Sequence, residues 1–315
     1  MTGEIWLALA LALALDVVYP EHRGLLLKIH PVHTSYFMAL RLAKRRRDRL
    51  WGIAVWLAVE AAHLTPFAAL LALAAFHPLA WALAAAATLK FSISYKLLVD
   101  ICRRVQKALE RGDLAEARRW VSHIVRRDVS SLEEAGVASA ALESLAESLV
   151  DGFTSPVFYA VLLGPLGALG QRVANTLDGA LGYKTPEFKD VGWVSARADT
   201  VLNFIPARLT ALLIALLAPI AGGDVRKALA VWLRWHNATE SLNAGHPMSA
   251  MAGALGVRLE KRGHYVLNPS GRPPTAADIA RGVKLATAVT AVYFVVMFLI
   301  WTIVQYLKVL IFGGP

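Results

Sequence analysis

Between Arg126 and Arg208 this otherwise greasy chain carries a dense run of acids, bases, amides and glycines. Glu143, Glu147 and Asp151 recur at i, i+4 and i+8, one stripe of a continuous helix. Like charges in line call for a cation, and hard carboxylate oxygens suit magnesium or a metal-bridged phosphate. An acidic face paired with Arg126 and Arg127 explains the same pattern without a metal. Asp178, in Asn175-Thr176-Leu177-Asp178, could complete a metal shell, and Lys184 could meet a phosphate oxygen as a point charge. Either residue could equally be a cap or a surface group.

Arg197, Asp199, Asn203 and Arg208 follow within twelve residues. Arg197 and Arg208 are eleven apart, three helical turns, so they share a face if the segment is helical, although Pro206 interrupts it. Two guanidinium groups suit bidentate binding of phosphate or carboxylate, and snorkelling at a membrane edge is the plainer alternative. His30-Pro31 and the Asn243–Pro247 segment, which contains His246, are His-Pro turns beside polar stretches. A lone histidine at such a turn is usually structural. No His or Cys cluster has the spacing of a zinc site, no G-x-x-x-x-G-K-[ST] loop is present, and no serine triad suggests itself.

These residues must be positioned by greasy elements. Of 315 residues, 57% are hydrophobic and 18% charged, and the mean hydropathy is +0.49. That balance points to an integral membrane protein. The net charge of +10 lies beside apolar runs, so it reads as leaflet-facing charge and not as a nucleic-acid surface. The single cysteine, Cys102, rules out an internal disulfide.

The first apolar segment, IWLALALALALDVVYP, reads as a retained span, since it lacks a basic leader and a clear cleavage site. RLAKRRRDR places six basic residues before the next apolar run and assigns that side to the cytoplasm. Residues 50–89 are long enough for a two-helix hairpin. Residues 90–148 read as mostly soluble, with two amphipathic helices broken at Gly112-Asp113 and a cap at Ser130-Ser131. VRLEKRGHYVL is the one strand signal, a hairpin. The last apolar run, 285–312, is a strong span that places the C-terminus outside.

The expectation is therefore an all-α integral membrane protein with about four full transmembrane helices. Two short or re-entrant membrane helices over 153–170 and 209–222, and cytoplasmic helical loops, complete it. It is one embedded unit over residues 1–315, with its catalytic-looking segment at 126–260. It is a multi-pass protein of the cell membrane whose active face is cytoplasmic.

The chain resembles the CobD/CbiB family of cobalamin biosynthesis, the adenosylcobinamide-phosphate synthases. The resemblance rests on His30-Pro31-Val32, Arg127-Asp128, ALESLAESLVDG, SPVFYAVLLGPLGAL, NTLDGALGYK, GWVSARADTVLNFIPARLTALL and NAGHPMSAMAGALGVRLE, which together cover most of residues 127–260. Departures stand at Val18-Tyr19-Pro20-Glu21, Val129, Ser148, Thr200 and Leu242, which makes Ser148 and Thr200 poor candidates for ligands.

The resemblance implies amide formation between a carboxylate of adenosylcobyric acid and aminopropanol or its O-phosphate. A carboxylate resists an amine at neutral pH, so activation as an acyl phosphate by ATP and magnesium is the simplest route. Glu143, Glu147, Asp151 and Asp178 would then hold magnesium. Lys184, Arg197, Asn203, Arg208 and Asn243 would bind substrate and phosphate, and Asp199 or His246 would take the amine proton. The partners are the corrinoid, the aminopropanol phosphate and the lipid bilayer, with no nucleic acid; a homo-oligomer is allowed. Two alternatives are a non-catalytic corrinoid-binding or transport component and, from the acidic stripe alone, a metal-diphosphate prenyl transferase.

Overall fold

Helix starts in this chain follow the residue that precedes them. The computed structural model describes residues 3–312. After α1 (Glu4–Val18) and the short α2 (Gly24–Lys28), α3 (Pro31–Ala43) is capped by His30, whose Nδ1 accepts from the Val32 N–H at 3.1 Å. Pro31 has no N–H to satisfy at the first helical position. Asp48 caps α4 (Arg49–Ala74) through the Trp51 N–H at 2.8 Å, and His77 caps α5 (Pro78–Lys90) through the Leu79 N–H at 3.2 Å.

The two expected amphipathic helices are α6 (Tyr95–Glu110) and α7 (Leu114–Val121), parted at Gly112-Asp113. α8 (Glu134–Leu149) does not start from the expected Ser130-Ser131 cap. The N–H and hydroxyl of Ser130 both donate to the Asp128 carboxylate, each at 2.9 Å, and the helix begins three residues further on, after Glu133. α8 passes through a five-residue π-helical turn, Val150–Thr154, into α9 (Ser155–Leu181). α9 is interrupted at Gly164 (φ 75°, ψ −171°), a conformation open to glycine alone, just before Pro165.

α10 (Trp193–Leu202) and α11 (Phe204–Leu216) are separated by a break at Asn203. The helical phase expected to align Arg197 with Arg208 is therefore not continuous. Asp224 caps α12 (Val225–Trp235), and α13 (Gly245–Leu255) follows. β1 (Leu259–Lys261) and β2 (Tyr265–Leu267) form the expected antiparallel hairpin, with Leu259 opposite Leu267, before α14 (Ala276–Phe312).

Among the described residues, four helical stretches are long and apolar enough to cross a membrane: Arg49–Ala74, Pro78–Glu110, Glu134–Leu181 and Ala276–Ile311. The broken pair α10 and α11 would make a fifth. The all-α membrane class is as expected, but the set of spans differs. α1, with 15 residues, is too short to be among the four. Glu134–Leu181 is among them, although its first part was expected to be soluble, 153–170 half-depth and the part from 171 on a polar loop. Its Ala- and Leu-rich spacing dilutes the charges enough for a spanning window.

Chain contacts divide the protein into two compact units. One holds residues up to Ser94, Asp151–Asn203 and those from Met297 on; the other holds Tyr95–Val150 and Phe204–Val296. In the first, α3, α4 and α9 bury Ala39, Val55, Val59, Leu169, Val173 and Leu177. α1 packs on α5 through small residues such as Ala8, Ala12, Ala82 and Ala85, which let the backbones approach. There Lys90 and Asp16 form a buried ion pair at 2.9 Å. In the second unit, α13 is buried along its whole length and packs against α8, α11 and α12.

Candidate functional site

In the first unit the polar residues converge on Asn203, the buried residue at the end of α10. Its Nδ2 donates to Asp199 Oδ1 at 2.8 Å and to Asp151 Oδ1 at 3.3 Å. Its Oδ1 accepts from the Ser155 hydroxyl at 2.5 Å and from Gln171 Nε2 at 3.1 Å. The carboxamide is thus pinned on both sides, which fixes which end faces the acids. Asn175 Nδ2 adds a second donor to Asp199 Oδ1 at 2.9 Å. Both hydrogen bonds of Asp199 fall on Oδ1, which leaves Oδ2 open.

Helical spacing explains this convergence. Asp199 and Asn203 are one turn apart at the end of α10, as Gln171 and Asn175 are on α9. Arg172 stands beside them: Nη1 donates to the Asp151 carbonyl at 3.0 Å and Asn175 Oδ1 at 3.4 Å, and Nη2 to the Ser94 hydroxyl at 3.4 Å. Arg172 Nε and Gln171 Oε1 are buried without a hydrogen-bond partner. Buried polar atoms of this kind are costly unless a ligand or water completes them. The sequence reading missed Arg172 and Gln171. Their signal was present, because a charge and an amide inside an apolar helix are expensive to place there.

Asp178 lies further along α9. A Cβ at Gly182 would stand 1.9 Å from Asp178 Oδ1, so the turn into Tyr183 and Lys184 needs glycine there. Lys184 and Arg197 are exposed.

In the second unit Glu143 is 5% exposed and fully engaged. Arg127 Nη1 and Nη2 donate to its two oxygens at 3.1 and 3.0 Å. The Ser139 hydroxyl adds a bond to Oε1 and the Tyr265 phenol one to Oε2, each at 2.7 Å. Burial, and then the adjoining Glu143 carboxylate, push the Tyr265 phenol well above its ordinary pKa, so it remains a donor. The Glu260 N–H in turn donates to Ser139 Oγ at 2.8 Å, which ties the hairpin to α8. Four donors use the in-plane lone pairs of Glu143, so this acid is a structural anchor of the kind the Arg127 pairing suggested.

Glu147 is exposed. The π turn that follows changes the helical phase, so the i, i+4 register does not run on to Asp151. Among the described residues no group of three or more His, Cys, Asp or Glu side chains could hold a metal ion. The expected set of Glu143, Glu147, Asp151 and Asp178 is therefore not gathered into one site.

The same unit places His246 (6% exposed) in the first turn of α13. A Cβ on Gly245 would stand 2.0 Å from the His236 carbonyl, so glycine lets α13 begin against the end of α12. That approach brings His246 Nδ1 within 2.9 Å of Trp232 Nε1 and its ring to 4.6 Å from that of His236. Burial, helped by Arg208 and His236, pushes His246 down to about 4. Arg208 Nη1 donates to Asn243 Oδ1 at 3.3 Å and to the Phe204 carbonyl at 2.7 Å, with its guanidinium 3.4 Å over the Phe204 ring. Trp232 was also missed, and no local pattern links it to a residue fourteen positions on.

A family model described as CobD/Cbib protein matches residues 9–289. A probable cobalamin biosynthesis protein CobD of Aeropyrum pernix is 50% identical over 288 residues, covering 91% of this chain and 90% of that protein. Its counterpart in Thermoplasma acidophilum is 35% identical over 87% of this chain and 90% of that protein. The cobalamin biosynthesis protein CobD of Rhodobacter capsulatus is 43% identical over 61% of this chain and 63% of that protein. No solved structure matches the chain.

Proposed function

The chain belongs to the CobD/CbiB family, and from that premise we propose that it acts in cobalamin biosynthesis as an ATP-dependent acid–amine ligase. In this reading it joins adenosylcobyric acid to aminopropanol O-phosphate, or to aminopropanol, and yields adenosylcobinamide phosphate or cobinamide. The carboxylate oxygen of the corrinoid attacks the γ-phosphorus of ATP and ADP leaves. The amine nitrogen then attacks the acyl carbon, the C–O bond breaks, inorganic phosphate departs, and the amine gives up a proton.

The observation that carries this reading is Asp199. Two carboxamides orient it without neutralising its charge, and its open Oδ2 is a suitable acceptor for the amine proton. Arg172 supplies positive charge on the same cluster, where an anionic acyl phosphate would need it. Asp151, joined to Asp199 through Asn203, is the carboxylate best suited to magnesium, which commonly takes one or two carboxylates beside substrate phosphates. When bound, magnesium would neutralise phosphate charge. Glu143 leaves the ligand set, because its lone pairs are spent.

The test is turnover by purified protein in detergent, with adenosylcobyric acid, aminopropanol phosphate, ATP and magnesium. Product of the mass of adenosylcobinamide phosphate, formed with ADP in equal amount, supports the ligase. Retained corrinoid without product in any nucleotide would favour a binding or transport component instead.

A further inference from the structure

His246 was a candidate base, but its hydrogen bond argues for the opposite role. The indole N–H of Trp232 can only donate, so Nδ1 of His246 must accept the 2.9 Å bond between them. A neutral imidazole carries one proton, and here it must sit on Nε2. Nε2 makes no hydrogen bond to a described residue, yet it is not among the polar atoms sealed from solvent. An Nε2–H facing open space donates; it has no lone pair with which to take a proton.

The surroundings agree. Arg208 and His236 are the charged and titratable groups that act on this ring, and both disfavour an imidazolium. The Nδ1 of His236 faces the carbonyls of Trp232 and Leu233 at 3.2 and 3.1 Å, so it carries a proton and spends it there. The groups beside His246 are therefore that ring and the Arg208 guanidinium, with no acid recorded against His246.

We infer that His246 is a neutral hydrogen-bond donor to an anionic oxygen of the substrate, a phosphate or a carboxylate, and that Trp232 is the positioning residue that holds it in that tautomer. This deepens the ligase reading and rests on it only for the identity of the anion.

The first experiment needs no turnover. In protein labelled with 15N-histidine and held in detergent, the His246 signals are identified by their loss in His246→Gln. Between pH 5.5 and 8 the expected pattern, on the order of a full unit clear of titration, is a protonated Nε2 and an unprotonated Nδ1. Added inorganic phosphate should shift the Nε2 signal. An imidazolium at pH 6.5, a proton on Nδ1, or indifference to both phosphate and acetate would overturn the inference.

The second experiment separates donor from base. Glutamine can donate from roughly the place of Nε2 and asparagine cannot reach it. His246→Gln should keep kcat/KM within about 10-fold of the parent, and His246→Asn should lose about 100-fold, the scale of one oriented donor. Equal loss in both would mean a base. Trp232→Phe should raise KM for the anionic substrate more than it lowers kcat and add an acid limb to the pH profile; an unchanged profile overturns the role of Trp232. A rise in KM for aminopropanol phosphate, for ATP or for the corrinoid tells which anion is held. A correct tautomer in a protein without ligase activity would sink the ligase reading alone.

Discussion

Glu143 and Asp199 are both acids packed among apolar helices, yet their partners are of opposite kinds. Glu143 is met by a guanidinium and two hydroxyls, which neutralise it and use every in-plane lone pair. Asp199 is met by two carboxamides on one oxygen, which hold it still and leave its charge and its second oxygen available. The first arrangement makes a strut, and the second is the one that the proposed ligase would use as a base. The His-Pro pairs divide in the same way. His30 and His77 spend Nδ1 on a backbone N–H two residues ahead and so start their helices. His246 takes its Nδ1 bond from a distant indole and leaves Nε2 without a recorded hydrogen bond.

If that division is right, Asp199→Asn gives the largest effect on chemistry. The amide oxygen can still accept from Asn175 and Asn203, so the fold should hold, while kcat falls roughly 10³-fold as expected for loss of a general base. An Asp199→Asn enzyme with kcat within a few-fold of the parent would erase the contrast with Glu143.

Glu143→Gln should do the reverse. It leaves the guanidinium of Arg127, which is 16% exposed, without its counter-charge, at a cost of about 3 kcal/mol. Thermal melts in detergent should show the loss, whereas kcat of the protein that remains folded should be unchanged. A selective loss of kcat with normal stability would return Glu143 to the site.

The His-Pro comparison is tested by His30→Ala, expected to cost about 1 kcal/mol for a lost N-cap with no change in kcat. A smaller effect concerns pH. Burial, then His22, Arg172 and Lys90, push His30 down to about 3 from its ordinary 6.5. Its folded pKa is below its unfolded one, so its contribution is complete above pH 6.5 and is lost as pH falls toward about 3. His30→Asn keeps a capping acceptor but cannot titrate. The difference in melting temperature between pH 7 and pH 5 should therefore be smaller in His30→Asn than in the parent; an equal difference would mean that His30 is not held neutral.

Local order was the legible part. The amphipathic helices parted at Gly112-Asp113 and the hairpin within VRLEKRGHYVL depend on residues within a turn or two of each other. The spacing of Asp199 and Asn203 is also local, and both were singled out. What failed was extrapolation through irregular backbone. The π turn at Val150–Thr154 ended the acidic stripe, the break at Asn203 ended the phase linking Arg197 to Arg208, and the helix expected to start at Ser130-Ser131 begins after Glu133.

By itself the sequence determined an all-helical membrane protein of this family, because hydropathy and helical spacing act over short stretches. Only the tertiary structure decided which of the singled-out residues meet. Arg127 reaches Glu143 across 16 residues, Asn175 reaches Asp199 across 24, and Trp232 reaches His246 across 14. A carboxylate or an imidazole has the same intrinsic chemistry wherever it lies in the chain. Its protonation and its open lone pairs are set by the donors that packing places against it, and in each of these pairs the donor comes from a distant part of the chain.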